Sequence, residues 1–177
     1  LSFSKEHLDK VELYPYNKII DEGLASVMVG HLDVPNLEFR QNYPSSISYN
    51  IVTNLLQNDL EFDGLIFTDA LNMKGISKYR KSGEIELDAL IAGNDILLFP
   101  ENVPLATETI CKAYHDSILS EERLARSVKK ILQYKFKAGL NHYKPIAIPN
   151  LISDINPAEN EALQYELYEN ATTVLKN

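Results

Sequence analysis

The chain has 177 residues, of which 45% are hydrophobic and 24% charged, and a formal net charge of −8. This length and apolar content fit one folded domain with a real core rather than a disordered segment. No Lys/Arg run exceeds the pair Lys129-Lys130 and no apolar run approaches the roughly 20 residues that span a bilayer, so neither nucleic acid nor a membrane is an expected partner.

The first residue is Leu1, with no charged and apolar leader pattern behind it, and Asn177 directly follows Thr173-Val174-Leu175-Lys176. Both ends have the character of cuts in a longer polypeptide, which leaves the compartment open between cytoplasm and periplasm. Pro15 suits a first helical position, Ile19 and Ile20 share a face, and Gly23 closes that helix with a left-handed turn. A strand is expected at Ala25-Ser26-Val27-Met28-Val29. Ser48 then caps a helix carrying Ile51, Val52, Leu55 and Leu56.

A second strand is expected at Leu65-Ile66-Phe67, a compact helix over Ile85 to Ile91 closed by Gly93, and a third strand at Ile96-Leu97-Leu98-Phe99. Two helices follow, at 105–117 and 120–138. The second has Ser120 as its cap, Glu121 and Glu122 in its first turn, Gly139 past its end, and an apolar stripe of Leu124, Val128, Ile131, Leu132 and Phe136. Cys111, the single cysteine, forms no internal disulfide and reads as a small buried filler. Residues 144–157 read as a linker, followed by a helix at 158–170 and the beginnings of a strand at Thr172 to Leu175.

The apolar runs are nearly continuous, as in parallel strands buried on both faces. Their alternation with helices predicts an α/β fold with right-handed crossovers, either a doubly wound sheet or a piece of a barrel. In both, functional groups gather where strands end, at Gly30-His31, Thr68-Asp69 and Pro100-Glu101. Asp69 suits either a helix N-cap or a carboxylate that attacks an anomeric carbon. His31 suits either a donor or proton carrier at a substrate hydroxyl, or a structural histidine tied to a loop carbonyl. Met73 suits core packing or ligand contact, and Glu101 is expected in solvent. The four histidines are scattered without metal-ligand spacing, and no glycine pattern cradles a phosphate, so neither a metal nor a nucleotide cofactor is expected.

Several segments together resemble glycoside hydrolase family 3, in particular its bacterial β-N-acetylglucosaminidase branch. Glu12-Leu13-Tyr14-Pro15-Tyr16 is similar to that branch's ELYPF segment and Ser26-Val27-Met28-Val29-Gly30-His31 to its VMVAH strand. Phe62 to Met73 (FDGLIFTDALNM) is similar to FDGLVVTDALDM. Ala92 to Leu98 is similar to AGADLLL, Ser120 to Leu124 and Lys129 to Leu132 continue the match, and Ala171 to Asn177 is similar to the ITLLKN stretch that opens a second domain in longer members.

The resemblance implies that the chain is the C-terminal portion of a (β/α)8 barrel, about three βα units, with C-terminal helices. Residues 1–143 would be barrel, 144–157 linker, and 158–177 the start of a following domain or extension. It implies retaining cleavage of terminal β-linked N-acetylglucosamine, with Asp69 as nucleophile and His31 and Met73 lining the sugar pocket. The expected partners are N-acetylglucosaminides, muropeptides among them. The branch's acid/base motif, KHFPGHGD-like, does not occur in this chain, so little hydrolysis is expected from the chain alone. An incomplete barrel is further expected to self-associate or to require the missing barrel segment. A β-glucosidase of the same family and a non-catalytic carbohydrate-binding or assembly module are the alternatives.

Overall fold

A computed structural model describes residues 3–146 and 148–176, apart from the Ser77 side chain, and divides into two compact units, Leu1–Ala138 and Gly139–Asn177. The first unit runs α1 (Lys5–His7), a π-helical turn (Leu8–Glu12), α2 (Tyr14–Asp21), β1 (Ser26–Val29), a 3-10 turn (Ser45–Ile47), a π-helix (Asn50–Asp59) and β2 (Leu65–Thr68). It continues through α3 (Lys74–Ser77), α4 (Glu84–Ala92), α5 (Val103–His115) and α6 (Glu121–Lys137).

β1 and β2 pair in parallel, with Ser26 opposite Leu65 and Val29 opposite Thr68, as expected of an α/β chain in which helical segments separate the strands. Val29 and Ile66 bury against Val52, Leu56, Phe62 and Ala92, which fixes the strand pair onto the π-helix. Each fully buried aliphatic side chain there contributes about 1.5–3 kcal/mol. Gly64 starts β2 because a Cβ at this position would lie 2.6 Å from Ala25 O and 2.5 Å from the Phe62 ring. Gly93 ends α4 at φ +123°, in the region that favours glycine.

Three expectations need correction in this unit. The third strand shrinks to a single parallel bridge between Phe67 and Ile96. Its ladder stops because the Leu98 N–H donates to the Thr68 side-chain Oγ1 at 2.9 Å rather than to a strand carbonyl, and Phe99 then turns away at φ +45°. Cys111 is exposed on α5 rather than buried.

Only part of the apolar stripe of α6 docks: Leu124 and Ile131 are half-buried, whereas Val128, Leu132 and Phe136 lie in solvent, the last 67% exposed. The helix is also attached by a polar row. Arg123 Nη2 donates to Asn94 O at 2.6 Å, Ser127 Oγ donates to Asp95 Oδ1 at 2.5 Å, and Lys130 Nζ donates to Gly64 O at 2.8 Å. These three residues recur at helical spacing on one face.

The helix expected after Ser48 is a π-helix, in which the Leu60 N–H donates to Leu55 O. Apolar residues spaced three and four apart serve an α- or a π-helix equally. Ser48 Oγ does accept from Ile51 N, at 3.3 Å.

The second unit contains a 3-10 turn (Leu140–His142), α7 (Leu151–Ile155) and α8 (Ala158–Ala171). Helix α7 thus falls inside the stretch expected to be a linker. Thr172 to Leu175 forms no strand. Thr172 closes α8 instead, its Oγ1 donating to Tyr168 O at 2.7 Å, and no strand partner is present among the described residues of this unit. Asn177, which ends the ITLLKN-like stretch, lies outside the described residues. Among the described residues, no helix is long and apolar enough to cross a membrane.

Candidate active site

The C-terminal ends of β1 and β2 carry His31 and Asp69. The Asp69 backbone remains tied to the sheet, its N–H donating to Val29 O at 2.9 Å. Its carboxylate is partly exposed, and Oδ1 accepts from Ala70 N at 2.7 Å. The carboxylate caps no helix, since α3 begins only at Lys74 and its cap position is Met73. Among the described residues no other hydrogen bond to this carboxylate is present.

His31 spends both ring nitrogens on the protein. Nε2 faces Ala70 O at 3.0 Å, and because a carbonyl only accepts, Nε2 carries the proton. Nδ1 faces Ser46 Oγ at 2.6 Å, so in the neutral ring the Ser46 hydroxyl donates to it. This is the geometry of a histidine tied to a loop carbonyl. Met73 also donates its N–H to Ala70 O, at 3.1 Å, and its side chain is 45% exposed beside the Asp69 turn. Glu101 is exposed, as expected.

The segment between β1 and the π-helix is built as a rigid shelf. Ser45 Oγ donates to Gly30 O at 2.6 Å and accepts from Leu32 N at 3.0 Å. Glu38, 1% exposed, receives Arg40 in a bidentate pair at 2.8 and 2.7 Å and the Ser48 hydroxyl at 2.5 Å. The Arg40 hydrogen bonds hold the Glu38 carboxyl down at about 2. The Arg40 guanidinium lies 3.5 Å from the Tyr43 ring centroid. Tyr43 packs against the cluster of Leu71 and Ile76, and burial pushes its phenol up. Sequence reasoning missed Glu38, Arg40 and Ser46. The Glu-x-Arg spacing was the one available signal, and it is common on ordinary surfaces.

A second polar cluster lies at the opposite end of β2. Asp95 Oδ2 accepts from Ile66 N at 3.1 Å and from Lys130 Nζ at 3.2 Å, in addition to the Ser127 bond on Oδ1. Burial lowers the neighbouring Arg123 guanidinium below its ordinary value. An apolar cleft of about 420 Å³ opens beside β1, lined by Leu8, Leu13, Tyr16, Met28, Leu37 and Leu60 among others, and Asp69 does not line it. Among the described residues, no group of three or more His, Cys, Asp or Glu is arranged to hold a metal ion.

The chain is 24% identical over 169 residues to a β-N-acetylglucosaminidase/β-glucosidase of Cellulomonas fimi, a match covering 91% of this chain and 30% of that protein. It is 26% identical over 192 residues to β-hexosaminidase A of Pseudoalteromonas piscicida, covering 98% and 32%. Among solved structures, a glycoside hydrolase family 3 β-N-acetylglucosaminidase from a Paenibacillus species superposes with a TM-score of 0.77 at 32% identity, covering 84% of this chain and 28% of that one. The chain thus spans about a third of the length of these relatives. The model of the glycosyl hydrolase family 3 N-terminal domain matches residues 1–134, and by that match the chain belongs to glycosyl hydrolase family 3.

Proposed function

We propose that this chain is the nucleophile-bearing part of a retaining β-N-acetylhexosaminidase. In this proposal β1, β2 and the Ile96 to Leu98 segment are the sixth, seventh and eighth strands of a (β/α)8 barrel spanning residues 1–143. Residues 144–157 link it to the start of a following domain or extension at 158–177. The observation that carries the proposal is the position of Asp69, whose backbone is fixed by β1 while its carboxylate stays partly open at the strand end.

Such a carboxylate attacks the anomeric carbon while the glycosidic bond breaks and the leaving oxygen takes a proton from a general acid. Water, deprotonated by the same group, then cleaves the glycosyl ester with net retention. The acid/base loop lies outside this chain, and because that group is worth roughly 10²–10⁴-fold, little turnover is expected from the chain alone. Met73 borders the sugar, and His31 supports the site through Ala70. The names of the Pseudoalteromonas and Paenibacillus relatives favour terminal N-acetylhexosaminides, N-acetylglucosaminides in particular, as substrates; muropeptides are proposed as one such class. The doubly named Cellulomonas relative keeps a β-glucosidase as the second reading.

The required partner is the missing barrel segment, with self-association as the substitute when that segment is absent. The uncovered apolar flanks support this: Met28 on β1 is 56% exposed, and Leu132 and Phe136 on α6 are 59% and 67% exposed.

The test is incubation with an activated 5-fluoro N-acetylglucosaminyl fluoride, for this chain and for the chain joined to upstream barrel units of a relative. Fluoride departs without an acid, so the nucleophile is probed by itself. A sugar adduct mapped to Asp69 by peptide mass spectrometry is the expected result. If the joined protein stays unlabelled while its Asp69→Asn variant binds sugar like the parent, a carbohydrate-binding module replaces the glycosidase.

A further inference from the structure

The turn that carries Asp69 is held from outside its own strand. Ala70, the next residue, offers one carbonyl, and that carbonyl accepts two hydrogen bonds, from His31 Nε2 at 3.0 Å and from Met73 N at 3.1 Å. The Ala70 N–H is spent on the Asp69 carboxylate itself. Ala70 thus meets the carboxylate through its N–H, in the Asp69-Ala70 peptide, and His31 through its carbonyl, in the Ala70-Leu71 peptide that follows.

His31 can hold that carbonyl only with its proton on Nε2 and its ring in one of two flipped orientations. Ser46 meets both conditions. It is fully buried, and its hydroxyl lies 2.6 Å from Nδ1. A hydroxyl donor at Nδ1 leaves the neutral ring's proton on Nε2, facing Ala70 O.

Ser46 is itself clamped. Asn94, also fully buried, donates Nδ2–H to Ser46 O at 2.8 Å and to Ala89 O at 2.7 Å, while Asn94 O accepts from Arg123 Nη2 at 2.6 Å. A series of hydrogen bonds thus runs from α6 through Asn94, Ser46 and His31 to the Ala70 carbonyl, one peptide beyond Asp69.

We propose that Ser46 is a positioning residue for the Asp69 carboxylate, acting through the orientation and tautomer of His31. The inference rests on Asp69 being the nucleophile, yet its structural half stands apart from that role. A buried serine spent on a histidine that is in turn spent on the Ala70 carbonyl restrains Ala70, whose N–H meets the carboxylate. Angular placement of this kind governs attack rate far more than ground-state sugar affinity, because small misplacements fall on the reacting geometry.

The experiment uses the 177-residue chain, its Ser46→Ala variant and its Ser46→Thr variant, which keeps the hydroxyl. Long-range ¹H–¹⁵N spectra of the His31 ring report the tautomer, amide hydrogen exchange reports Ala70 and Met73, and the rate of Asp69 labelling by the activated fluoro-sugar reports the reaction. In the parent, His31 carries its proton on Nε2. In Ser46→Ala the Nδ1 signal moves to that of a free acceptor and the Ala70 and Met73 amides exchange faster. Maximal labelling slows about tenfold while half-saturation changes less than about twofold. Ser46→Thr restores the parent Nδ1 signal and recovers most of the labelling rate.

A parent ring protonated on Nδ1 overturns the inference, as does Ser46→Ala labelling at the parent rate. Should the parent itself resist labelling, the ring and amide signals still decide. Unchanged signals in Ser46→Ala sink the Ser46 assignment, whereas the expected shifts uphold the hydrogen-bonded lock and place the failure on the nucleophile role of Asp69.

Discussion

At the N-terminal end of β2 the Asp95 side chain is 2% exposed and its carboxylate accepts hydrogen bonds from Ile66 N, Ser127 Oγ and Lys130 Nζ. At the C-terminal end the Asp69 carboxylate accepts one, from Ala70 N, and is partly open. Glu38, near the Asp69 end, is saturated like Asp95, by Arg40 and Ser48. A carboxylate that holds a fold together uses its lone pairs on the protein, whereas one kept for a substrate has its backbone fixed and its oxygens spare. The proposed chemistry thus lies at one strand end, while the other end of the same strand secures helix α6.

Four substitutions sharpen or break this contrast. Asp69→Asn is expected to abolish labelling by the activated sugar, by at least about 10³-fold, while urea unfolding stays within about 0.5 kcal/mol of the parent. A large loss of stability would make Asp69 a structural carboxylate after all. Asp95→Ala reverses the pattern. It leaves the Ile66 N–H unpaired and the Lys130 charge with only the Gly64 carbonyl in a mostly buried place, and costs about 3–5 kcal/mol, read as a lower urea midpoint.

Glu38→Gln is expected to cost about 2 kcal/mol near neutral pH, after allowance for the half-exposed Arg40 partner. Because the folded-state value, about 2, lies below the ordinary 4.5, the Glu38 contribution is complete above pH 4.5 and lost as pH falls towards 2. Chemical denaturation from pH 6 down to 2.5 should therefore show the parent and the variant converging. Parallel stability curves would mean that Glu38 is not held down in the folded chain. The smallest effect is that of Ser120→Ala, which removes the acceptor of Arg123 N at 3.1 Å at the start of α6 and costs about 1 kcal/mol.

Local chemistry was legible in the sequence, and distant pairing was not. The apolar runs located β1 and β2, and Ser120, Gly93 and Gly139 marked helix ends where the backbone places them. Asp69 was found as a candidate because it follows a strand. Whether Ile96 to Phe99 would form a full ladder depended on where the Thr68 hydroxyl points, which no periodicity encodes. The stripe of α6 told only part of its docking for a similar reason. Apolar spacing includes the half-buried Leu124 and Ile131, but Arg123, Ser127 and Lys130 attach the helix through polar partners that only folding brings near. The same holds for Ser46 and His31, fifteen positions apart in sequence and joined by one hydrogen bond.

The attachment of α6 also imposes an order on biosynthesis. Lys130 follows Asp95 by 35 residues and Gly64 by 66. At about 5–20 residues per second, a ribosome needs about 2–7 s after Asp95 to deliver Lys130. Until then Asp95 holds the N-terminal end of the nascent β2 without help from α6, and a chaperone has that interval in which to keep the two strands from pairing with the wrong neighbour.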